Sequence, residues 1–521
     1  MPEIMEGNSG RTHNQTSANE TSTQELELVA NQRSFDAIVI GNGALGLSLA
    51  LVLARGGTKV AVLGEPTRPG GASAAAGAML GCFGEVTAAT LASEHGRVKH
   101  ELAVAARGRW SGWLASLAED TGETTPIRGA DGTVVILNTV GMPGIDDVNF
   151  AAIRAALDRH GEPYEDVEPA QVDWLDPDAK SRPVRAMLIP GEQAVDAATL
   201  LRQLVRAVER NGGTVIPGTG VRVERSRGQA TAVTLSTGER LLSHRIVMAA
   251  GARSQELLDT LPDIAAQIPR LVSGYGVSAL LRTEDGTAPR TVIRTPNRAF
   301  ACGLHVVPRS GGEVYVGATN IISPDCMATP VLRDVVFLLN CASRQVRRNL
   351  WMSGTQRIQV GNRPVALDGF PLLGATGLDG LWLMTGTYRD GLHLSPLLAH
   401  EMSKAVLGEA TDTALSIFTP VRHPVQPASR KEIIDTAVSH MLATGYEYDW
   451  TIPVEWPSII EHNMRPSYEK FTEELNPVYT PPPELLAASR VSPSLYKMLR
   501  DYYASLITSP GELPARAEAG Q

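Results

Sequence analysis

The chain lacks a basic surplus: 47 Lys and Arg stand against 56 Asp and Glu, a formal net charge of −9. That balance argues against the electrostatic footprint of a nucleic-acid binder. It also lacks any run of 18 apolar residues, so no membrane-spanning helix is expected. The four cysteines, Cys82, Cys302, Cys326 and Cys341, are scattered, with no CxxC pair and no metal-ligand spacing. They read as free thiols of a reducing compartment, and a cytoplasmic location without a metal is the expectation. HExxH, GxSxG and GxxxxGK[ST] are all missing, which removes the commonest signs of zinc proteases, serine hydrolases and P-loop enzymes. Residues 1–34 are polar, without the basic start and apolar stretch of a signal peptide, and read as a disordered tail. The sequons at Asn14 and Asn19 carry no meaning in a cytosolic chain.

What is present is a soluble-protein composition, 43% hydrophobic and 20% charged, over 521 residues. That length exceeds one ordinary core, so two or three domains are expected. The most informative segment is Phe35 to Gly46, Phe-Asp-Ala-Ile-Val-Ile-Gly-Asn-Gly-Ala-Leu-Gly. A buried strand, Ala37 to Ile40, runs into Gly41-x-Gly43-x-x-Gly46, then a helix over Leu47 to Arg55 and a second strand, Val60 to Leu63. This is a βαβ dinucleotide-binding unit. Gly41 permits the tight turn, Gly43 lets backbone approach a pyrophosphate, and Gly46 lets helix pack on strand. Ala44 and Leu45 open the helix, whose N-terminal N–H groups favour an anion. The acid that holds a ribose ordinarily ends the second strand. Gly64 stands there, and the acid comes one place later, at Glu65.

Further along, residues 90–120 read as helical and Thr133 to Leu137 as a strand. Residues 195–210 carry apolar side chains at helical spacing behind a capping Asp196. Strands follow at Thr214 to Ile216, at the hairpin pair Val221 to Glu224 and Ala232 to Leu235, and at Ile246 to Ala250. More come at Gly276 to Leu281, Leu304 to Pro308, Glu313 to Gly317 and Trp382 to Thr385, with a final helix from Gly391 to about Val406. The fold class expected is mixed α/β: a Rossmann-like nucleotide-binding domain with a discontinuous, mixed-sheet substrate domain. The boundaries read as 35–95, 190–265 and 355–422 for the first, and 96–189 and 266–354 for the second.

Four segments make the chain resemble the D-amino-acid oxidase superfamily of FAD-dependent oxidoreductases, on the glycine oxidase and sarcosine oxidase branch. They are the Gly41 fingerprint with Ser73-Ala-Ala-Ala-Gly77, then Gly213-Thr-Val with Val221 and Ala249-Ala-Gly251. The third is Leu304-His-Val-Val-Pro308 with Glu313-Val-Tyr-Val-Gly-Ala-Thr319. The most specific is Gly361-Asn-Arg363-Pro364, Asp368-Gly369, Pro371, Gly374, then Gly386-x-x-Arg389-x-Gly391 and Pro396. The resemblance covers about residues 35–422. It implies FAD held by Gly41, Gly43, Ala44, Leu45, Gly46, Glu65, Ser73, Ala76, Gly77 and Met79. Val221, Ala250, Gly251, Gly386, Asp390, Gly391 and Leu392 complete that expected set, with Arg363 and Arg389. Places where some relatives attach flavin covalently hold Ala and Val, so non-covalent FAD is expected. No second GxGxxG is present for a nicotinamide domain.

The resemblance puts Arg363 on a substrate carboxylate, for which a guanidinium fork is suited; otherwise it is a surface or interface arginine. Arg389 is a second cation, facing the flavin pyrimidine or pairing with Asp390. His305 stands where glycine oxidases tend to place a Tyr, and would accept a hydrogen bond from the amine or help deprotonate it; otherwise it is a core histidine. Tyr388 and Thr387 replace the aromatic-and-His pair common before the signature arginine. Glu85 lies at the entrance or on a solvated helix face, the second being the plainer expectation. The activity implied is oxidation of the carbon–nitrogen bond of a small amino acid or N-substituted glycine, by hydride transfer to flavin with O2 becoming H2O2. A dehydrogenase with a quinone or protein acceptor, a biosynthetic oxidase of a larger amine or hydrazine, and a non-catalytic FAD-binding partner protein remain alternatives.

Residues 423–521 extend past the resemblance and hold seven of the eleven tyrosines: Tyr446, Tyr448, Tyr468, Tyr479, Tyr496, Tyr502 and Tyr503. Aromatics at this density bury. An ordered appendage is expected, wrapped on the body or on a second subunit, as a lid, a partner face or a homodimer interface.

Overall fold

The computed structural model describes residues 33–507 apart from 124–126, 298–302, 449 and 454. The expected tail, residues 1–34, therefore lies outside the described residues except for Arg33–Ser34. Those two form a short strand beside Arg240–Leu242, so regular structure begins slightly earlier than the sequence suggests.

Five strands run parallel in the order Thr214–Ile216, Val60–Leu63, Ala37–Ile40, Ile246–Met248 and Leu381–Thr385. Leu372–Ala375 closes the edge antiparallel. Ala37–Ile40 and Val60–Leu63 are apolar at every position because both faces of the sheet are covered. On one face lie the helices Ala44–Arg55, Ala197–Arg210 and Gly391–Leu407, with Leu47, Leu51, Leu200, Leu204 and Leu398 in one cluster. On the other, Ile38 and Ile40 meet Val223, Val233 and Leu241 of an antiparallel meander. Asp196 caps its helix as expected, accepting from the Thr199 N–H at 2.7 Å.

A second, nine-stranded mixed sheet contains Thr133–Asn138, Leu271–Arg282, His305–Pro308, Glu313–Gly317 and Gly354–Ala366. Its longest ladder is antiparallel, between Leu271–Arg282 and Gly354–Ala366, and sets Gly274 opposite Arg363. In the described part of the C-terminal extension, helices Arg430–Glu447, Trp456–Leu475, Pro483–Val491 and Pro493–Ile507 fold onto the body. Leu475, Leu485, Leu495, Leu499, Tyr502 and Tyr503 bury against Val272, Ile322, Val365 and Leu367 of the mixed sheet and its edges. Among the described residues no helix is long and apolar enough to cross a membrane, and no cluster of ligating side chains could hold a metal.

Candidate active site

The C-terminal ends of the parallel strands open into a cavity that runs on to the mixed sheet. This is where ligands bind in open α/β sheets. At one end, Gly41 has φ +121°, and a Cβ there would stand 2.3 Å from the Ala249 carbonyl oxygen. The turn therefore needs glycine. A Cβ on Gly46 would stand 1.8 Å from the Gly41 oxygen, so Gly46 serves the helix–strand contact and does not itself line the cavity. Gly43 caps the helix Ala44–Arg55 with no side-chain acceptor, although Ser73 Oγ accepts from the Ala44 N–H at 3.0 Å. A second helix, Gly391–Leu407, also begins at the cavity without a side-chain cap. Two open helix N-termini and a loop of Gly and Ala suit a ligand carrying phosphates.

Gly41, Gly43, Ala44, Leu45, Glu65, Ser73, Ala76, Gly77 and Met79 line this cavity, as do Ala250, Gly251, Asp390, Gly391 and Leu392. So do Arg363, Arg389, His305 and Tyr388. Besides Gly46, two expected residues do not. Val221 is 43% exposed, because the strand Gly220–Ser226 turns that side chain to solvent; Gly218, Thr219 and Gly220 form the wall instead. Gly386 is a backbone turn, φ +71°, packed on Phe370 and Leu372. The absent acid at Gly64 has a steric reason. A Cβ there would stand 2.3 Å from the Asn42 side chain, whose amide donates to the Glu65 carbonyl at 3.0 Å. Asn42 fills the space an acid would take.

At the other end the side chains are chemical. Arg363 Nη1 donates to the carbonyls of Thr319 at 3.1 Å and Gly274 at 3.4 Å and to Asn320 Oδ1 at 3.3 Å. All three acceptors are neutral, and among the described residues no carboxylate lies within ion-pair distance of this guanidinium. Arg389 lies over the Tyr388 ring at 5.0 Å. Its neighbour Asp390 pairs with Lys99 at 2.7 Å. His305 is 5% exposed, stacks on Tyr315 and sets Nδ1 2.9 Å from the Gly303 carbonyl. A carbonyl only accepts, so Nδ1 carries the proton and Nε2 is the bare nitrogen. Burial, helped by the charges of Arg294 and Arg363, lowers the His305 pKa to about 4.

Glu85 is not on a solvated helix face. Its carboxylate lines the cavity and pairs at 2.5 Å with Arg294, a residue 1% exposed. Asn297 completes the group: Arg294 Nη2 donates to Asn297 Oδ1 at 2.7 Å, and Asn297 Nδ2 donates to Glu85. Burial alone would raise the Glu85 carboxyl, but Arg294, Arg389 and Asn297 outweigh it and hold it down at about 2. A second carboxylate, Glu192, is 1% exposed and accepts from the N–H groups of Cys82 at 2.7 Å and Gly84 at 3.2 Å. It fixes the loop that carries Glu85. Nothing in the sequence signals Glu192 or Arg294; both are scattered polar residues, Arg294 on a strand of the mixed sheet and Glu192 in the turn before Gln193–Val195.

The model of the DAO family, FAD dependent oxidoreductase, matches residues 36–405. The chain belongs to this family. A glycine oxidase of Geobacillus kaustophilus is 26% identical over 409 residues, 75% of this chain and 97% of that protein. A bifunctional ThiO/ThiG protein of Trichormus variabilis is 28% identical over 390 residues, 74% of this chain and 54% of that protein. The chain thus spans about half the length of such bifunctional relatives. The solved glycine oxidase of Geobacillus kaustophilus superposes with a TM-score of 0.65 at 22% identity, covering 75% of this chain and 100% of that one. Iminodiacetate oxidase of Chelativorans sp. BNC1 gives 0.62 at 20%, with the same coverage. These structures share the fold. FAD is the family's cofactor, and the glycine-walled cavity with two uncapped helix N-termini fits it.

Buried histidines make a stability prediction for this family member. An unfolded His titrates near about 6.5. Burial first, then the charges of His160 and Arg159, hold His100 down at about 4, and His305 behaves alike. As pH falls from about 6.5 to about 4, the unfolded chain binds protons that the native one refuses. Stability is therefore full above about pH 6.5 and lost below it, on the order of 3 kcal/mol for each residue by about pH 4. Thermal midpoints should drop across that window, and His100→Leu should flatten the drop. A profile unchanged by that substitution would contradict the assignment.

Proposed function

We propose that the protein oxidises the carbon–nitrogen bond of a small amino acid or N-substituted glycine, with FAD bound non-covalently and O2 as acceptor. The observation that carries this reading is Arg363: a cation on the cavity wall whose acceptors among the described residues are all neutral, with its charge left for a ligand. A substrate carboxylate would complete it through the guanidinium fork. Gly41, Gly43, Ala44, Leu45 and Ser73 would hold the pyrophosphate, Glu65 and Gly251 the nucleoside side, and Ala76, Gly77, Met79, Gly391 and Leu392 the ring. When bound, FAD would supply the hydride acceptor for oxidation at the carbon that bears the amine.

Every other task falls to side chains. Arg363 orients the substrate by its carboxylate. His305 Nε2 accepts a hydrogen bond from the neutral amine. It does not take the ammonium proton: with its pKa at about 4, moving a proton from an alkylammonium would climb on the order of 8 kcal/mol. The ammonium proton leaves to solvent on binding, and the bare Nε2 selects the amine that remains. Arg389 places positive charge where the reduced ring gains negative charge. The Glu85–Arg294 pair is already neutral overall, so it walls the pocket without competing for the carboxylate.

Glycine, sarcosine, D-alanine and D-proline in air-saturated buffer test the reading. One of them should give H2O2 and oxo acid in equal amounts. Oxo acid with no H2O2 would contradict O2 as the acceptor; neither product from any amine would contradict the function.

A further inference from the structure

The C-terminal extension lies beyond the part of the chain that matches the family, yet it packs on the substrate end of the cavity. Three observations connect the two. First, Tyr388 packs on a cluster that joins Leu485, Leu495, Leu499 and Tyr503 of the extension to Val272, Val365 and Leu367 of the body, and Tyr388 also lines the cavity. Second, the Tyr388 hydroxyl is hydrogen-bonded by the Asn320 amide, and Asn320 Oδ1 accepts from Arg363 Nη1 at 3.3 Å. Third, Arg389 lies over the Tyr388 ring at 5.0 Å, and Glu484 at the start of Pro483–Val491 is close enough for Arg389 and Lys99 to draw its carboxyl against the rise that burial causes.

We propose that the extension is a positioning element of the active site: it clamps Tyr388, which holds Asn320 against Arg363 and lies beneath Arg389, so that both cations keep their places. Tyr388 is thus a positioning residue, working through Asn320. The backbone agrees with this task. Tyr388 has φ +56°, a conformation costly for a bulky side chain, and its N–H donates to the Pro364 carbonyl at 3.0 Å, beside Arg363. A strained residue persists where its surroundings over-determine it, and here those surroundings include a cluster that joins body and extension. The strand after Asn320, Ile321–Ser323, is tied in as well, since Ile322 lies in the same cluster. A Cβ on Gly274 would stand 2.8 Å from the Tyr388 ring, so the ring has no room to shift toward the sheet. Pro482 closes on Gly369 in the signature segment from the other side, 3.1 Å from where a Cβ would be.

The proposal rests on the reading of Arg363 as the carboxylate anchor. It is tested with the full-length holoenzyme and acetate, a carboxylate with no amine to lose, titrated by the change in flavin absorbance. Tyr388→Phe keeps the ring and removes the hydroxyl; the acetate Kd should rise about tenfold, one hydrogen bond to a charged network. In kinetics the loss should fall on KM more than on kcat. Leu499→Ala, wholly within the extension, should raise the acetate Kd roughly three- to tenfold, because it loosens the clamp. In the Tyr388→Phe background the same substitution should add less than about twofold, since both act on one path. Leu499→Val carries the same test if the alanine variant does not fold. A lowered melting temperature with acetate affinity unmoved in either single variant would overturn the proposal, as would effects that simply multiply. Arg363→Ala serves as control. Unchanged acetate binding there would overturn the carboxylate reading itself; lost binding there, with the other two variants unmoved, would overturn the positioning role alone.

Discussion

Arg363→Ala should lower kcat/KM for a small amino carboxylate by about 10²–10³-fold. The argument is electrostatic. Among the described residues this guanidinium has three neutral acceptors on one nitrogen and no carboxylate partner. Its half-buried position on the cavity wall removes much of the water that would screen a bound anion. Truncating one member of a desolvated, hydrogen-bonded charge pair costs about 2–5 kcal/mol, and each 1.4 kcal/mol is tenfold. Arg363→Lys keeps the charge and loses the fork, so it should recover part of the loss only. An amine with no carboxylate should be oxidised poorly by the wild type and no worse by the variant. Steady-state kinetics on the matched pair glycine and methylamine separate the cases. Equal losses on both amines would show that Arg363 acts on the fold or the cofactor and not on the substrate carboxylate.

The second large effect is on stability. Asp368 and Arg422 form an ion pair whose side chains are 0% and 7% exposed. Arg422 Nε and Nη2 reach the two carboxylate oxygens at 2.8 and 2.9 Å, and Nη1 donates to the Pro371 carbonyl at 2.7 Å. The pair therefore locks the Asp368–Pro371 turn to the chain entering the extension. Arg422→Ala leaves a buried carboxylate without its countercharge and frees backbone carbonyls. The expected cost is about 3–5 kcal/mol. The double variant Asp368→Leu, Arg422→Met removes both charges and should be more stable than Arg422→Ala alone, because no lone ion stays buried. Urea unfolding of the wild type and both variants checks this. If Arg422→Ala costs under about 1 kcal/mol, the pair behaves as an exposed one and the account is wrong.

The parallel sheet was legible because its signals are local. Ala37–Ile40 into Gly41, Gly43 and Gly46 needs only neighbouring residues, and so does the Asp196 cap. The segment around Arg363 and Arg389 was legible through a recurring pattern of Gly, Pro and Asp, which fixes backbone turns. The expectations that failed depended on facing. Val221 lies on the right strand, but its own residue points outward. Glu85 read as a solvated charge because its partner, Arg294, is 209 positions away. Glu192 and Asn320 had no local mark at all: each matters through long-range contacts, Glu192 with the Cys82–Gly84 loop and Asn320 with Arg363 and Tyr388. Gly64 showed that the ribose acid was missing, but only the Asn42 side chain shows why. The tyrosines of the extension announced burial, and three of them are buried: Tyr502 and Tyr503 against the body, Tyr468 between helices of the extension, whereas Tyr448 is exposed.

The most direct test of the central claim is an anaerobic titration of the yellow holoenzyme with glycine, sarcosine, D-alanine and D-proline, each set against the amine that lacks the carboxylate. The account predicts that at least one amino carboxylate bleaches the flavin while its decarboxylated counterpart, at the same concentration, leaves it oxidised. Bleaching of equal extent by both members of every reactive pair, or by no member of any pair, would contradict it.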